Sequence, residues 1–306
     1  MTCPEAVGDH PGGGHVRTSP NTPEEPAPRI GIGWRPEIDL TVERLPGVDF
    51  VEVVAENLSP TELPESIEVL RRRGTPVIPH AVTLSLAGAE PVDPRRVRHL
   101  AELGEALDAP VVSDHIAFVR AGGLDVGHLL PPPRTRDALD VLVSNVNAVQ
   151  RDLPRPLALE NIAALLDWPE RELSEEHFLT ELVERTDCLL LVDLANLHAN
   201  AHNIGTTPST FLDTLPWERL AYAHVAGGVW RDGLYHDTHA HPVPREVLTL
   251  VRELAARAPA PPWVMVERDD AYPTDAELAD ELAGIRAAAL AGTATRSPAR
   301  RADDDR

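Results

Sequence analysis

Six short apolar runs in this chain each end on a side chain that can bind a metal ion. His80 closes TPVIPH, His115 closes APVVSDH, Glu160 closes PLALE, Asp193 closes LLLVD, His224 closes LAYAH and Glu267 closes WVMVE. Two adjoining segments add to the set. Asn196 and His198 follow Asp193 in DLANLH, and Asp237 and His239 lie in HDTHAH. In an extended segment side chains alternate with period two, so Asp237 and His239 can point to one side. Imidazole plus carboxylate, with no thiolate, suits zinc, iron or manganese and disfavours soft-metal and iron–sulfur sites. About ten candidate ligands exceed the needs of one ion. Two ions would take roughly eight positions, and three with places left open for water or substrate also fit.

Each residue alone has a plainer reading. A histidine at a strand end, such as His80, His115 or His224, is commonly a hydrogen-bonded structural residue. Glu160 and Glu267 could be ion-pair partners or general bases, and Asp193 could cap a following helix. Asn196 and His198 could be helix-start residues. Taken together the plain readings fail, because unpaired charges buried in one place cost on the order of several kcal/mol each and cations remove that cost. His236 and His241 read as surface residues of a loop. His10, His15, His99, His128, His177 and His202 fall in tails, helices or loops and read the same way. Asp114, Glu56, Asn161, Asn200 and Arg268 flank the set and could orient ligands or bind substrate. Cys188 opens an apolar run and reads as a small buried hydrophobe. With Cys3 it makes no disulfide framework.

The elements that must position these residues alternate along the chain. Apolar, β-rich runs cover 29–34, 50–54, 76–80, 110–115, 157–160, 189–193, 220–224 and 263–267. Helical spacing appears at 64–73, 94–107, 134–151, 175–185, 245–257 and 275–290. Strands alternating with helices predict a parallel sheet, and eight strands favour closure into an α/β TIM barrel, (β/α)8. The alternative is an open doubly wound sheet, although the dinucleotide fingerprint GxGxxG is absent: Gly31-Ile-Gly33 lacks its third glycine. In a barrel the C-terminal strand ends form the active-site face, so closure carries all six terminal groups to one mouth.

Composition sets the frame. A length of 306 residues suits one large barrel, and 42% hydrophobic but only 4% aromatic residues imply a core of Leu, Val, Ala and Ile. Residues 1–28 and 292–306 read as disordered tails around a catalytic domain at 29–291. A net charge of −21 argues against binding nucleic acid or anionic lipid. No apolar run of about 18 residues predicts a membrane helix. With no secretory signal in view, a cytoplasmic location is expected.

The segments PHAVTLSLAG, VVSDHIAF, LALEN, LVDLANLHANAHN, AHVAGG, HDTHAHPV and VERDDAYPTDAEL resemble the DUF692 family over residues 29–290. These are the multinuclear non-haem iron-dependent oxidative enzymes, which include MbnB of methanobactin biosynthesis and TglH of thiaglutamate biosynthesis. The resemblance implies a barrel similar to xylose isomerase and endonuclease IV. It implies that His80, His115, Glu160, Asp193, His224, Asp237, His239 and Glu267 bind metal, with Asp193, Glu160 and His224 at the catalytic centre. Asn196 stands where endonuclease-like relatives carry a histidine, and His198 fits a role at a third ion. The cofactor implied is two or three iron ions of mixed Fe2+/Fe3+ valence with O2 as co-substrate. The implied activity is oxidation of a ribosomally made precursor peptide at cysteine, aided by a separate leader-binding partner protein. A metal-dependent hydrolase or isomerase on the same barrel, or a non-catalytic metal- or peptide-binding protein, are the alternatives.

Overall fold

The computed structural model describes residues 26–296. Most of both expected tails, residues 1–25 and 297–306, lies outside the described residues. Eight parallel strands close into a barrel in which every strand pairs with its neighbours in the chain. They are β1 (Arg29–Trp34), β2 (Phe50–Val54), β3 (Val77–His80), β4 (Val112–His115), β5 (Leu157–Glu160), β6 (Leu189–Asp193), β7 (Leu220–Val225) and β8 (Trp263–Val266). Register places candidate ligands side by side at the C-terminal ends: His115 opposite Glu160, and Asp193 opposite His224.

Period-two alternation sorts the interior into layers. Phe50, Ile78, Val111, Ala158, Leu191, Tyr222 and Met265 form one apolar cluster. Two residues further along the same strands stand Glu52, His80, Ser113, Glu160, Asp193, His224 and Glu267, all buried. The alternation that packs the barrel thus also raises the polar layer to the mouth. Strand β1 contributes glycines to this interior. A Cβ at Gly31 would lie 2.6 Å from the Phe50 ring, so only glycine admits that ring.

Nine helices surround the described barrel: α1 (Asp39–Arg44), α2 (Glu65–Arg72), α3 (Pro94–Ala106), α4 (Arg136–Asp152), α5 (Glu175–Thr186), α6 (Leu194–Asn203), α7 (Pro208–Thr214), α8 (Arg245–Arg257) and α9 (Asp275–Ala294). Their starts follow from capping. Asp93, Thr135 and Ser174 accept backbone N–H groups at the starts of α3, α4 and α5, and Thr274 with Glu277 forms a capping box on α9. Their apolar stripes, such as Leu139, Leu142, Val143 and Val146 on α4, pack onto the strands. Helix α9 runs past the expected boundary at 291, because Gly292 lets its last turn approach the Arg252 carbonyl of α8 closely. None of the described helices is long and apolar enough to cross a membrane.

Two β-hairpins rise from the mouth. Phe118–Ala121 pairs with Leu124–Leu130 after β4, and Gly227–Arg231 pairs with Leu234–His241 after β7. Both turn through two residues of positive φ, Gly122-Gly123 and Asp232-Gly233, the requirement of a type I′ turn. The segment read from sequence as a loop around His236–His241 is therefore a strand. The segment carrying Asn196 and His198 is helix α6.

Candidate metal centre

His80, His115 and Glu160 meet at the ends of β3, β4 and β5. His80 Nε2 lies 3.3 Å from His115 Nε2, and Glu160 Oε2 lies 3.4 Å from each. Ligands that share one ion through bonds of about 2.0–2.2 Å stand roughly 3.0–3.5 Å apart, so this near-equilateral triangle has the dimensions of a coordination face. A second group combines Glu160, Asp193 and His224, and a third combines Asp193, His239 and Glu267. His224 Nδ1 is 3.5 Å from Glu160 Oε1 and 3.4 Å from Glu267 Oε2. Glu160 and Asp193 each belong to two groups, so the three form a connected row.

The outer atoms fix how these side chains face. His224 Nε2 bonds to Glu52 at 2.9 Å and His80 Nδ1 to Ser113 at 2.9 Å, which leaves Nδ1 of His224 and Nε2 of His80 for the row. Asp193 Oδ1 caps α6 through the Asn196 N–H, so the capping reading and the ligand reading hold one oxygen each. The Asn196 amide lies 3.5 Å from Glu160 Oε1 and donates to the Asn161 carbonyl at 2.9 Å. His239 adopts a left-handed φ of 51°, which sets its ring between Asp237 at 2.6 Å and Asp269 at 2.8 Å. Such a backbone costs a non-glycine residue roughly 1–2 kcal/mol and is held by its surroundings.

His198 belongs to none of the three groups. It packs against His202 and Tyr235, with ring centroids at 4.7 and 4.8 Å, and Trp230 completes the stack. His202, read as a surface residue, thus has a defined place beside the mouth. The flanking residues orient the frame. Asn161 exchanges two hydrogen bonds with the Asp193 backbone, Asn200 holds Ala164 and Ile162, and Asp114 holds Leu84. Arg268 pairs with Glu281, and Glu56 accepts from Val82 and Thr83. Cys188 is buried, as its apolar context implies.

Three contributors escaped the sequence reading. Glu52 sits inside the apolar run FVEVV, buried beneath the row. Arg35 bonds both Glu267, at 3.1 Å, and Asp269. The isolated acid within an apolar strand was the available signal for Glu52. Arg35 follows β1 directly and Asp269 lies just past Glu267 and Arg268 after β8, where a barrel places its mouth.

Electrostatics and unmet hydrogen bonding both point to cations. Burial opposes charge on His115, yet Glu160 and Asp114 outweigh it and hold its pKa at about 9. Burial would raise Glu160, but His224 and His115 pull it down to about 2. Burial, Asp237 and Glu160 drive Asp193 well above the usual carboxylate range. Glu160 Oε2, Asp193 Oδ2, His224 Nδ1 and Asp237 Oδ1 are buried without hydrogen-bond partners. Each such atom ordinarily costs about 1–3 kcal/mol. A set of imidazole and carboxylate donors with unspent lone pairs aimed together fits metal ions.

Residues 29–290 match the family described as RiPP precursor modification enzymes MbnB/TglH/ChrH. This chain belongs to that family. Among MbnB/TglH/ChrH relatives, a UPF0276 protein of Streptomyces avermitilis is 57% identical over 263 residues, covering 84% of this chain and 54% of the relative. The chain thus spans about half of that protein's length. A UPF0276 protein of Caulobacter vibrioides is 36% identical over 276 residues, covering 88% of this chain and 96% of the relative. In fold, this MbnB/TglH/ChrH member is similar to the 3-keto-D-glucoside 4-epimerase of E. coli (TM-score 0.57, 16% identity, 85% of this chain and 99% of the other). It is also similar to a xylose isomerase domain protein of Alicyclobacillus acidocaldarius (TM-score 0.51, 17% identity, 85% and 99%). The expected closed barrel is the observed one.

Proposed function

We propose that this protein is an iron- and O2-dependent oxidase that modifies a ribosomally made precursor peptide at cysteine. The observation that carries the reading is the row of three ligand groups joined through Glu160 and Asp193. Membership of a family of precursor-peptide modification enzymes supports the substrate class. His80, His115 and Glu160 would hold one ion, Glu160, Asp193 and His224 a second, and Asp193, His239 and Glu267 a third, with Asp237 beside His239. Bound iron would supply the electron-transfer and O2 chemistry that side chains cannot.

The chain's own residues prepare the site for that chemistry. Glu160 and Asp193 would bridge neighbouring ions and hold their spacing. Burial of His80, His224 and Asp193 excludes water from the floor. Arg35 offsets the charge of Glu267 and Asp269 at the opposite edge from His115. The mouth between the hairpins would admit an extended peptide, presented by a separate leader-binding protein. A cytoplasmic site of action fits a substrate met on leaving the ribosome.

The test is anaerobic purification with metal analysis, then O2 uptake with a cysteine-containing precursor peptide. Two or more irons per chain and peptide-dependent O2 consumption are expected. One ion or none rejects the multinuclear reading. Zinc or manganese with hydrolysis or isomerisation, or metal with no turnover on any substrate, rejects the oxidase.

A further inference from the structure

Beneath the row runs an unbroken chain of buried hydrogen bonds. His80 Nδ1 lies 2.9 Å from Ser113 Oγ, Ser113 Oγ 2.8 Å from Tyr222 OH, Tyr222 OH 2.5 Å from Glu52 Oε2, and Glu52 Oε2 2.9 Å from His224 Nε2. The two ends are histidines of different ligand groups. The side chains of the middle three residues hydrogen-bond to no other candidate ligand.

Counting protons gives the chain a direction. A hydroxyl has a single hydrogen to donate. Tyr222 donates its hydrogen to Glu52, so its oxygen must accept from Ser113. Ser113 has then spent its hydrogen, so its oxygen must accept from Nδ1–H of His80. At the other end Glu52 accepts from Nε2–H of His224. Both arms therefore converge on one carboxylate oxygen. In a neutral ring, the form that binds metal, each arm leaves a particular nitrogen without a proton: Nε2 on His80 and Nδ1 on His224. These are the atoms found at ligand separations, Nε2 of His80 at 3.3–3.4 Å from His115 and Glu160, and Nδ1 of His224 at 3.4–3.5 Å from Glu267 and Glu160. Two independent observations, hydrogen-bond direction below and spacing above, select the same tautomers.

We infer that Glu52 is a positioning residue for two metal positions at once, fixing His224 directly and His80 through Tyr222 and Ser113. This rests on the reading of His80 and His224 as ligands. It goes beyond that reading in tying the tautomers of two separate ion sites to one buried carboxylate. A hydrogen-bond acceptor behind a ligand imidazole commonly changes metal affinity by roughly 10–100-fold.

The arms differ, and that difference is the test. Folded apo-protein carrying Tyr222→Phe, Ser113→Ala or Glu52→Leu is titrated anaerobically with ferrous ion against a chelator, and 57Fe Mössbauer spectra are taken of each loaded form. Tyr222→Phe removes one atom and keeps the Glu52–His224 bond. It is expected to weaken one ion by roughly 10–100-fold and shift one iron signal. Ser113→Ala is expected to match it. Glu52→Leu leaves no acceptor for either arm and is expected to weaken two ions and shift two signals. Unchanged affinities in Tyr222→Phe, or Glu52→Leu affecting no more ions than Tyr222→Phe, would overturn the inference. If wild type takes up a single ion, the multinuclear reading has failed separately. An ion held by His80 or His224 must still weaken in Glu52→Leu, and an unchanged affinity sinks the inference too.

Discussion

Asp193 gives one carboxylate oxygen to the backbone N–H of Asn196 at 2.8 Å and keeps the other buried with no hydrogen-bond partner. The first oxygen starts helix α6; the second faces Glu160, His224 and His239. Asparagine retains an oxygen for the cap but loses the charge. Burial, Asp237 and Glu160 hold the Asp193 carboxyl well above its ordinary range, so ionised Asp193 penalises the metal-free fold. Asp193→Asn is therefore expected to melt no lower than wild type when both are metal-free, while losing at least one ion. Asp193→Ala also gives up the cap, at about 1 kcal/mol. Full ion content in Asp193→Asn would remove Asp193 from the site.

The dual use of Asp193 also explains what the sequence hid. Helix α6 starts on the strand's last residue, with no linker to separate the two elements, so the sequence offered Asn196 and His198 as helix-start residues without showing which of them faces the row. The barrel strands were legible because buried parallel strands are continuous apolar runs broken only at their functional ends. The hairpins were not, since Leu124–Leu130 is mostly exposed and lacks alternation. Their turn pairs Gly122-Gly123 and Asp232-Gly233 were the available signal. The ring stack of His198, His202, Trp230 and Tyr235 joins α6 to a hairpin, a pairing that only tertiary contact creates.

Glu160 is shared by two ligand groups, whereas His115 belongs to one. Glu160→Ala is accordingly expected to cost more metal than His115→Ala, with the barrel folded in both. Elemental analysis beside circular dichroism decides the order. Equal, undiminished metal content in both would reject the shared-ligand geometry.

Metal uptake should depend on pH through His115. Without metal, its pKa of about 9 stands above the reference 6.5. Its protonation therefore stabilises the metal-free fold fully below 6.5, and that contribution is lost as pH rises through 9. Glu160, near 2 against 4.5, contributes fully above 4.5 and loses this as pH falls through 2. A ligand imidazole must shed its proton, so apparent metal affinity should climb between pH 6.5 and 9, by up to about tenfold per pH unit for each proton displaced. Chelator competition across that range measures it. A flat profile would show that His115 is already neutral.

The barrel's interior fit is tested at Gly31. Alanine would place its Cβ 2.6 Å from the Phe50 ring, which is fully buried among Tyr222 and Trp263 and has little room to retreat. Overpacking of this kind costs about 1–3 kcal/mol. Thermal or denaturant unfolding of Gly31→Ala should show that loss. Undiminished stability would mean that the barrel floor yields more than its packing suggests.

If the proposed peptide enters between the hairpins, Trp230 would separate its binding from metal binding. Trp230 is 57% exposed on the second hairpin, its ring edge-on to His202 and Tyr235 at 4.9 and 5.5 Å. Leu124, Val126, Leu165 and Leu166 are also exposed on segments that follow barrel strands at the mouth. Exposed apolar side chains on segments at the mouth suit an extended peptide, and an exposed aromatic among them is where binding energy concentrates. No atom of Trp230 belongs to the ligand groups. Trp230→Ala should therefore leave iron content and unfolding temperature unchanged while raising KM for the peptide about tenfold, equivalent to about 1.4 kcal/mol. The same variant should show little change in kcat, because a ring that met the peptide before and during reaction alike would alter only uniform binding. Loss of iron would place Trp230 in support of the metal row instead, and an unaltered KM would move the peptide's path away from this hairpin.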